Sequence, residues 1–301
     1  MWLRLLQNLL FGNYFYGFCA VALSIESALI RQQRLNNFAF YIILFCGSTC
    51  YYTFAYQKSK QSGTNNKRAN WYYINQKSIR FSQQVLCTIL AAAVLLYGFN
   101  FFYAFYKLPL QAWVIICLFP LLAFLYYGYF FPGFSQLNIR QFGWVKPFVI
   151  GFIWSGLVTI YPIIAVKAEQ NVYTTLNKYD LMLFLKNWMF VTVLCIMFDI
   201  KDFAADHNHQ LKTFVVRYGL RKTIFYIIIP LVFAGFLSFM FFAWFNHFST
   251  IKIILNTIPF CLLLYVAYSL HQRKSIQYYL AVIDGQMLVK AICGIIAVKF
   301  F

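Results

Sequence analysis

Residues 198–219 read FDIKDFAADHNHQLKTFVVRYG, follow directly on an apolar run, and hold three of the chain's seven acidic residues: Asp199, Asp202 and Asp206. At helical spacing, i, i+3 and i+7 share one face, so the three carboxylates project together. Like charges this close repel one another and need a compensating Lys, Arg or divalent metal. Oxygen-only ligation of this kind suits Mg²⁺, which takes one or two carboxylates and completes its shell with water and phosphate oxygens. A membrane span that ends in a charged helix face is the expectation for this stretch, and it directs the reading of everything around it.

The composition agrees. The chain is 62% hydrophobic and 11% charged, with a mean hydropathy of +0.66. Soluble globular chains are roughly 45–50% apolar and about 25% charged. The fold class expected is all-α: a polytopic membrane protein, one domain over residues 1–301, with about nine spans of roughly 20 residues each. The spans are expected at 12–30, 37–56, 84–106, 111–131, 147–166, 181–198, 223–245, 251–270 and 278–299. The opening MWLRLLQNLL reads as an interfacial helix running into the first span, since no small-residue cleavage site follows it. Pro120, Pro162, Pro230 and Pro259 lie inside apolar segments, where they are expected to kink or end helices.

Loop charge sets the orientation. Sixteen Lys and Arg fall on the side that carries the N-terminus and the aspartate stretch, and seven on the other. The positive-inside rule makes the first side cytoplasmic, so the chain is expected in the inner (cytoplasmic) membrane with its N-terminus in the cytoplasm. The net charge of +18 then reflects topology and contact with anionic membrane lipids. The basic residues are split among short loops and form no single patch, which argues against nucleic acid as a partner. All eight cysteines lie in apolar spans without CxxC spacing and read as packing thiols. Glu26, Lys186, Asp284 and Lys290 sit at or inside spans, where charge is costly and usually paired. The loops 57–80 and 199–222 lie four spans apart and are both 24 residues long, a topological hint of two halves.

The aspartate stretch resembles the second aspartate motif of the UbiA superfamily of intramembrane prenyltransferases. That pattern runs Asp-Ile-x-Asp-x-x-Gly-Asp, then Lys-Thr, then Val-Arg-x-Gly. Asp199, Asp202, Asp206, Lys212, Thr213, Arg217 and Gly219 fall on it in register, with Ala205 where Gly is usual. Nine spans is also that family's architecture. Its first motif, Asn-Asp-x-x-Asp-x-x-x-Asp at the end of the second span, has no counterpart: between Glu26 and Glu169 there are 142 consecutive residues without an acid.

The resemblance implies transfer of a prenyl group from a prenyl diphosphate to an acceptor in the membrane. Such chemistry ionises an allylic diphosphate, so metal and cations stabilise the leaving group. Aromatic walls can face the carbocation. The metal candidates are Asp199, Asp202 and Asp206 with Mg²⁺. The diphosphate candidates are Arg68, Arg140, Lys146, Lys212 and Arg217. His207 and His209 flank the cluster and read as ordinary loop histidines. Two other readings stay open: a UbiA-fold protein that binds an isoprenoid lipid or partners an enzyme without turnover, and a small transporter. The clustering of acid at a membrane edge, away from the midplane, argues against the transporter.

Overall fold

A computed structural model describes residues 2–57, 67–127, 142–172, 176–208, 210–272 and 274–300. Every regular element among them is helical. Lipid offers no partner for backbone N–H and C=O groups, and a helix satisfies them within one segment.

In chain order the principal helices are α1 (Trp2–Phe11), α2 (Tyr14–Ile30), α3 (Phe38–Gln57), α4 (Lys67–Ile74), α5 (Gln76–Asn100) and α6 (Leu110–Tyr127). They continue as α7 (Lys146–Glu169), α8 (Lys178–Asn208), α9 (Leu220–Phe245), α10 (Thr250–Ser269) and α11 (Ile276–Phe300). Six of these, α5 and α7–α11, are long and apolar enough to cross a membrane. The 25 residues of α5 span about 37 Å at 1.5 Å each, against a hydrocarbon core of about 30 Å. α1 and α2 meet at a 70° bend and make at most a seventh crossing. In α3 and α6 the apolar parts, Phe38–Phe54 and Leu110–Tyr126, are shorter. Each of the nine stretches expected to span thus contains a helix, but six or seven meet the length and apolarity of a crossing.

The internal prolines do not end their helices. Pro120 and Pro259 lie within α6 and α10. Pro162 and Pro230 each follow a π-type turn, Gly156–Ile160 in α7 and Ile224–Ile228 in α9. A proline ring collides with the carbonyl four residues back, and a widened turn there moves that carbonyl aside.

α7 packs along α8, α2 lies between α3 and α11, α3 contacts α5, and α10 contacts α11. The central core is built from Leu23, Val158, Ile196, Met197, Ile228, Phe239, Leu263 and Ile283. Large apolar side chains also point outward, among them Leu95, Phe99, Phe233, Leu237, Trp244 and Tyr265. An outer surface this apolar is what lipid contact requires.

Three of the seven acids are committed to the scaffold. Glu26 of α2 is buried and contacts Lys290 of α11 at 2.5 Å and Lys186 of α8 at 3.8 Å. Gly294 admits this pairing, because a Cβ there would lie 2.6 Å from the Glu26 Cγ. Asp180 pairs with Arg31. Glu169 accepts from the Asn37 amide at 3.0 and 3.1 Å and from the Tyr97 hydroxyl at 2.7 Å, fixing the start of α3. The remaining four acids share one cavity.

Candidate functional site

The last turns of α8 carry Asp199, Asp202 and Asp206 on one side of the helix. Asp199 is fully buried, and its Oδ1 accepts from the Lys146 Nζ at the start of α7, 2.6 Å away. Asp202 is partly exposed and lies 3.3 Å from Lys201. Asp206 is buried. The backbone then turns back: the Leu211 amide donates to the Asp206 carbonyl at 2.9 Å. Thr213 caps the short helix Phe214–Tyr218. At this turn the segment before α7 crosses closely: a Cβ on Gly143 would meet the Thr213 nitrogen at 2.6 Å and the Lys212 carbonyl carbon at 2.7 Å. Only glycine allows that wall to close.

The opposite wall comes from the N-terminal bend. Asn13, in the left-handed region with φ 64°, joins α1 to α2. Its amide donates to Thr53 Oγ1 at 3.1 Å and to the Tyr72 hydroxyl at 2.9 Å, while its Oδ1 accepts from Arg68 at 2.5 Å. Arg68 also donates to Tyr56 and to the Phe11 carbonyl, and its guanidinium stacks 4.0 Å above the Tyr56 ring. Burial disfavours its charge, but Tyr56, Tyr16, Tyr72 and Asp284 outweigh this and hold it above its ordinary range. It is a fixed cation.

Between these walls lies a cavity of about 540 Å³, into which Asp199, Asp202, Asp206 and Asp284 all face. Lys146, Lys201 and Arg68 line it as well. Four carboxylates against three cations leave a formal balance of one negative charge. An anionic headgroup entering this space therefore needs additional positive charge. Among the described residues no three His, Cys, Asp or Glu side chains converge as a metal cage. Asp202 and Asp206 line the cavity as oxygen donors; Mg²⁺ ordinarily takes one or two carboxylates and completes its shell with water and phosphate oxygens.

A second, apolar cavity of about 240 Å³ adjoins the first, walled by Phe40, Leu44, Phe119, Leu157 and Tyr161 of α3, α6 and α7. Tyr52, Tyr126, Ile150 and Trp154 line both spaces. The Trp154 indole donates to the Tyr52 hydroxyl at 2.5 Å, and the Tyr52 ring stacks on Tyr16 with centroids 4.5 Å apart. A charged chamber and an apolar one thus share a largely aromatic wall.

Of the residues singled out from the sequence, Asp199, Asp202, Asp206, Arg68 and Lys146 line the polar cavity. Lys212 and Arg217 are exposed and stand outside its lining; Arg217 lies 5.3 Å from the Tyr218 ring. His207 is exposed. Arg140 and His209 lie outside the described residues. Sequence reasoning did not place Asp284, Lys201 and Tyr16 in the site. Asp284 carried a signal, an acid within an apolar stretch, but nothing in its spacing linked it to α8. No protein-family model, no curated protein and no solved structure matches the chain.

Proposed function

We propose that this chain is a divergent UbiA-like intramembrane prenyltransferase, transferring a prenyl group from a prenyl diphosphate to an acceptor within the membrane. The observation that carries this reading is the aromatic wall shared by a charged chamber and an apolar one. An amphiphile with an anionic head and an isoprenoid tail matches that division. Lys146 and Lys201 face the headgroup, and Arg68 supplies a fixed positive charge on the far wall. Asp199 holds Lys146 in place. Asp202 and Asp206 would hold Mg²⁺, which when bound offsets the charge growing on the departing diphosphate. Tyr52 and Trp154 stand where cationic character develops at the allylic carbon, which ring faces stabilise. The nine-span architecture, inner-membrane location and cytoplasmic N-terminus belong to the same reading and rest on the loop-charge bias.

The test is a titration of the purified protein with farnesyl diphosphate, with and without Mg²⁺. Asp202→Asn and Asp206→Asn should each weaken Mg²⁺-dependent binding by about 2–5 kcal/mol. Membranes carrying the protein, given labelled prenyl diphosphates and mixed aromatic acceptors, should yield a prenylated product that disappears with Asp202→Asn. One observation favours a second reading, an isoprenoid-binding protein without turnover. The Asp199–Lys146 pair neutralises one motif acid internally, and the acid-free first half supplies no second metal cluster. Mg²⁺-independent lipid binding with no product from any acceptor would select that reading.

A further inference from the structure

Thiols gather where α3 packs along α5. Cys46 and Cys50 are one turn apart on α3 and share a face. Both are buried, in one cluster with Leu86 of α5. The next residue, Cys87, is exposed on the outer, apolar surface of α5, beside Val85 and Ile89. Its thiol donates to the Cys50 sulfur at 3.7 Å. Polar ties one turn away hold α5 at this level: Gln83 Nε2 donates to the Cys50 carbonyl at 3.4 Å, and the Ser82 and Tyr14 hydroxyls are hydrogen-bonded. Among the described residues the thiols form no metal cage. One sulfur open to the surroundings beside a second that is shielded is the arrangement of a redox-sensing pair, in which the accessible thiol meets the oxidant and its neighbour resolves the product.

We propose that Cys87 and Cys50 are a redox-sensitive thiol pair, which a hydroperoxide dissolved in the bilayer converts to a disulfide joining α5 to α3; the prenyl-transfer reading is not needed for it. The Cys87 sulfur attacks the peroxide, the O–O bond breaks, and the departing alkoxide takes the thiol proton and leaves as an alcohol. Cys87 then carries a sulfenic hydroxyl. The Cys50 sulfur displaces that hydroxyl, which leaves as water with the Cys50 proton. Two thiols lose two electrons and two protons, and the hydroperoxide is reduced to alcohol and water. A disulfide holds its sulfurs about 2.0 Å apart, so the pair must close by about 1.7 Å, within the sweep of a side-chain rotation. The bond would act on the apolar cavity. α3 supplies Leu44, Gly47, Ser48 and Tyr52 to its wall, and α5 supplies Leu90, one turn beyond Cys87. Once the two helices are joined, this wall is fixed in width.

The experiment uses the full chain in lipid nanodiscs, treated briefly with cumene hydroperoxide as the membrane-soluble probe or with hydrogen peroxide as the aqueous one. N-ethylmaleimide added with SDS then counts the free thiols by peptide mass spectrometry. With cumene hydroperoxide, labelling of Cys50 and Cys87 should fall at least fivefold, and a peptide pair linked through them should appear. Cys117 and Cys261, exposed on other helices, should lose less than twofold, and dithiothreitol should restore all labelling. Cys50→Ser should abolish the linked pair and Cys46→Ala should keep it. The oxidised protein should melt at least 5 °C higher than the reduced one, since a cross-link between distant positions restricts the unfolded chain. Equal loss at all four cysteines, or sulfinic acid at Cys87 in place of the linked pair, would overturn the proposal. Linkage by hydrogen peroxide alone would overturn the bilayer source of the oxidant, and an unchanged melting temperature in the linked protein would overturn the clamp.

Discussion

Lys146→Met isolates the pairing at the heart of the site. Asp199 has no exposed surface, and Lys146, its own side chain 20% exposed, donates to it at 2.6 Å. The second carboxylate oxygen, Oδ2, has no hydrogen-bond partner among the described residues. Without Lys146 the carboxylate is buried beside two further acids of the same helix. Removing one member of a buried pair costs about 3–5 kcal/mol, because the other charge is left uncompensated. That is two to nearly four decades in the unfolding equilibrium. Asp199→Asn should cost less, about 1–3 kcal/mol, since Lys146 sits at the cavity and retains access to water there. Lys146→Met combined with Asp199→Leu should recover most of the loss, since an apolar pair of similar volume needs no desolvation. The assay is SDS-induced unfolding of the purified protein in mixed micelles, followed by tryptophan fluorescence, with Asp199→Leu alone completing a double-mutant cycle. The reasoning fails if Asp199→Asn costs more than Lys146→Met, or if the double variant is as unstable as the sum of Lys146→Met and Asp199→Leu.

Glu26→Gln should lose about 3–5 kcal/mol in the same assay, because it leaves Lys186 and Lys290 facing each other in the bundle. Lys186→Met, which removes the surplus cation, should cost much less, and a reversal of that order would contradict the pairing described. Gly143→Ala should lower the melting temperature in detergent, with an overpacking cost of about 1–3 kcal/mol, since its Cβ meets backbone that has nowhere to go; an unchanged melting temperature would count against the closed wall. Asp180→Asn should reduce stability through its buried contact with Arg31 while leaving farnesyl diphosphate binding unchanged. Reporter fusions at residues 65 and 210 should read cytoplasm and a fusion at residue 173 should not; a cytoplasmic signal at 173 would remove the nine-span topology.

Local periodicity made part of this molecule readable. The aspartates of α8 share a face because helical geometry leaves no alternative, and the span positions follow from apolar runs that lipid favours. Buried charge was readable in kind: Glu26, Lys186 and Lys290 pair, as the cost of intramembrane charge requires. What the sequence concealed is long-range. Asp284 reaches the α8 acids through the packing of α11 on α2 and a π-type turn, and neither leaves a spacing signal. Lys212 and Arg217 lie in register with a motif, yet the short helix Phe214–Tyr218 leaves them at the surface. Arg68 was readable as a cation but not as the clamp on the Asn13 bend, whose partners lie 40 to 59 residues away. The internal prolines were expected to kink or stop helices, but two π-type turns carry α7 and α9 past theirs.

The Glu26–Lys290 contact joins residues 264 positions apart, and this has a consequence for biosynthesis. α2 leaves the ribosome well before α11, which carries the ammonium closest to Glu26. Until α8 and then α11 emerge, the nascent bundle carries an acid in an apolar segment without these partners, and leaving such a group in lipid is expensive. On this argument α2 should be retained at the insertion machinery, or beside Lys186 once α8 has emerged, until α11 docks against it. A chain stopped short of residue 290 should therefore be a substrate for membrane quality control.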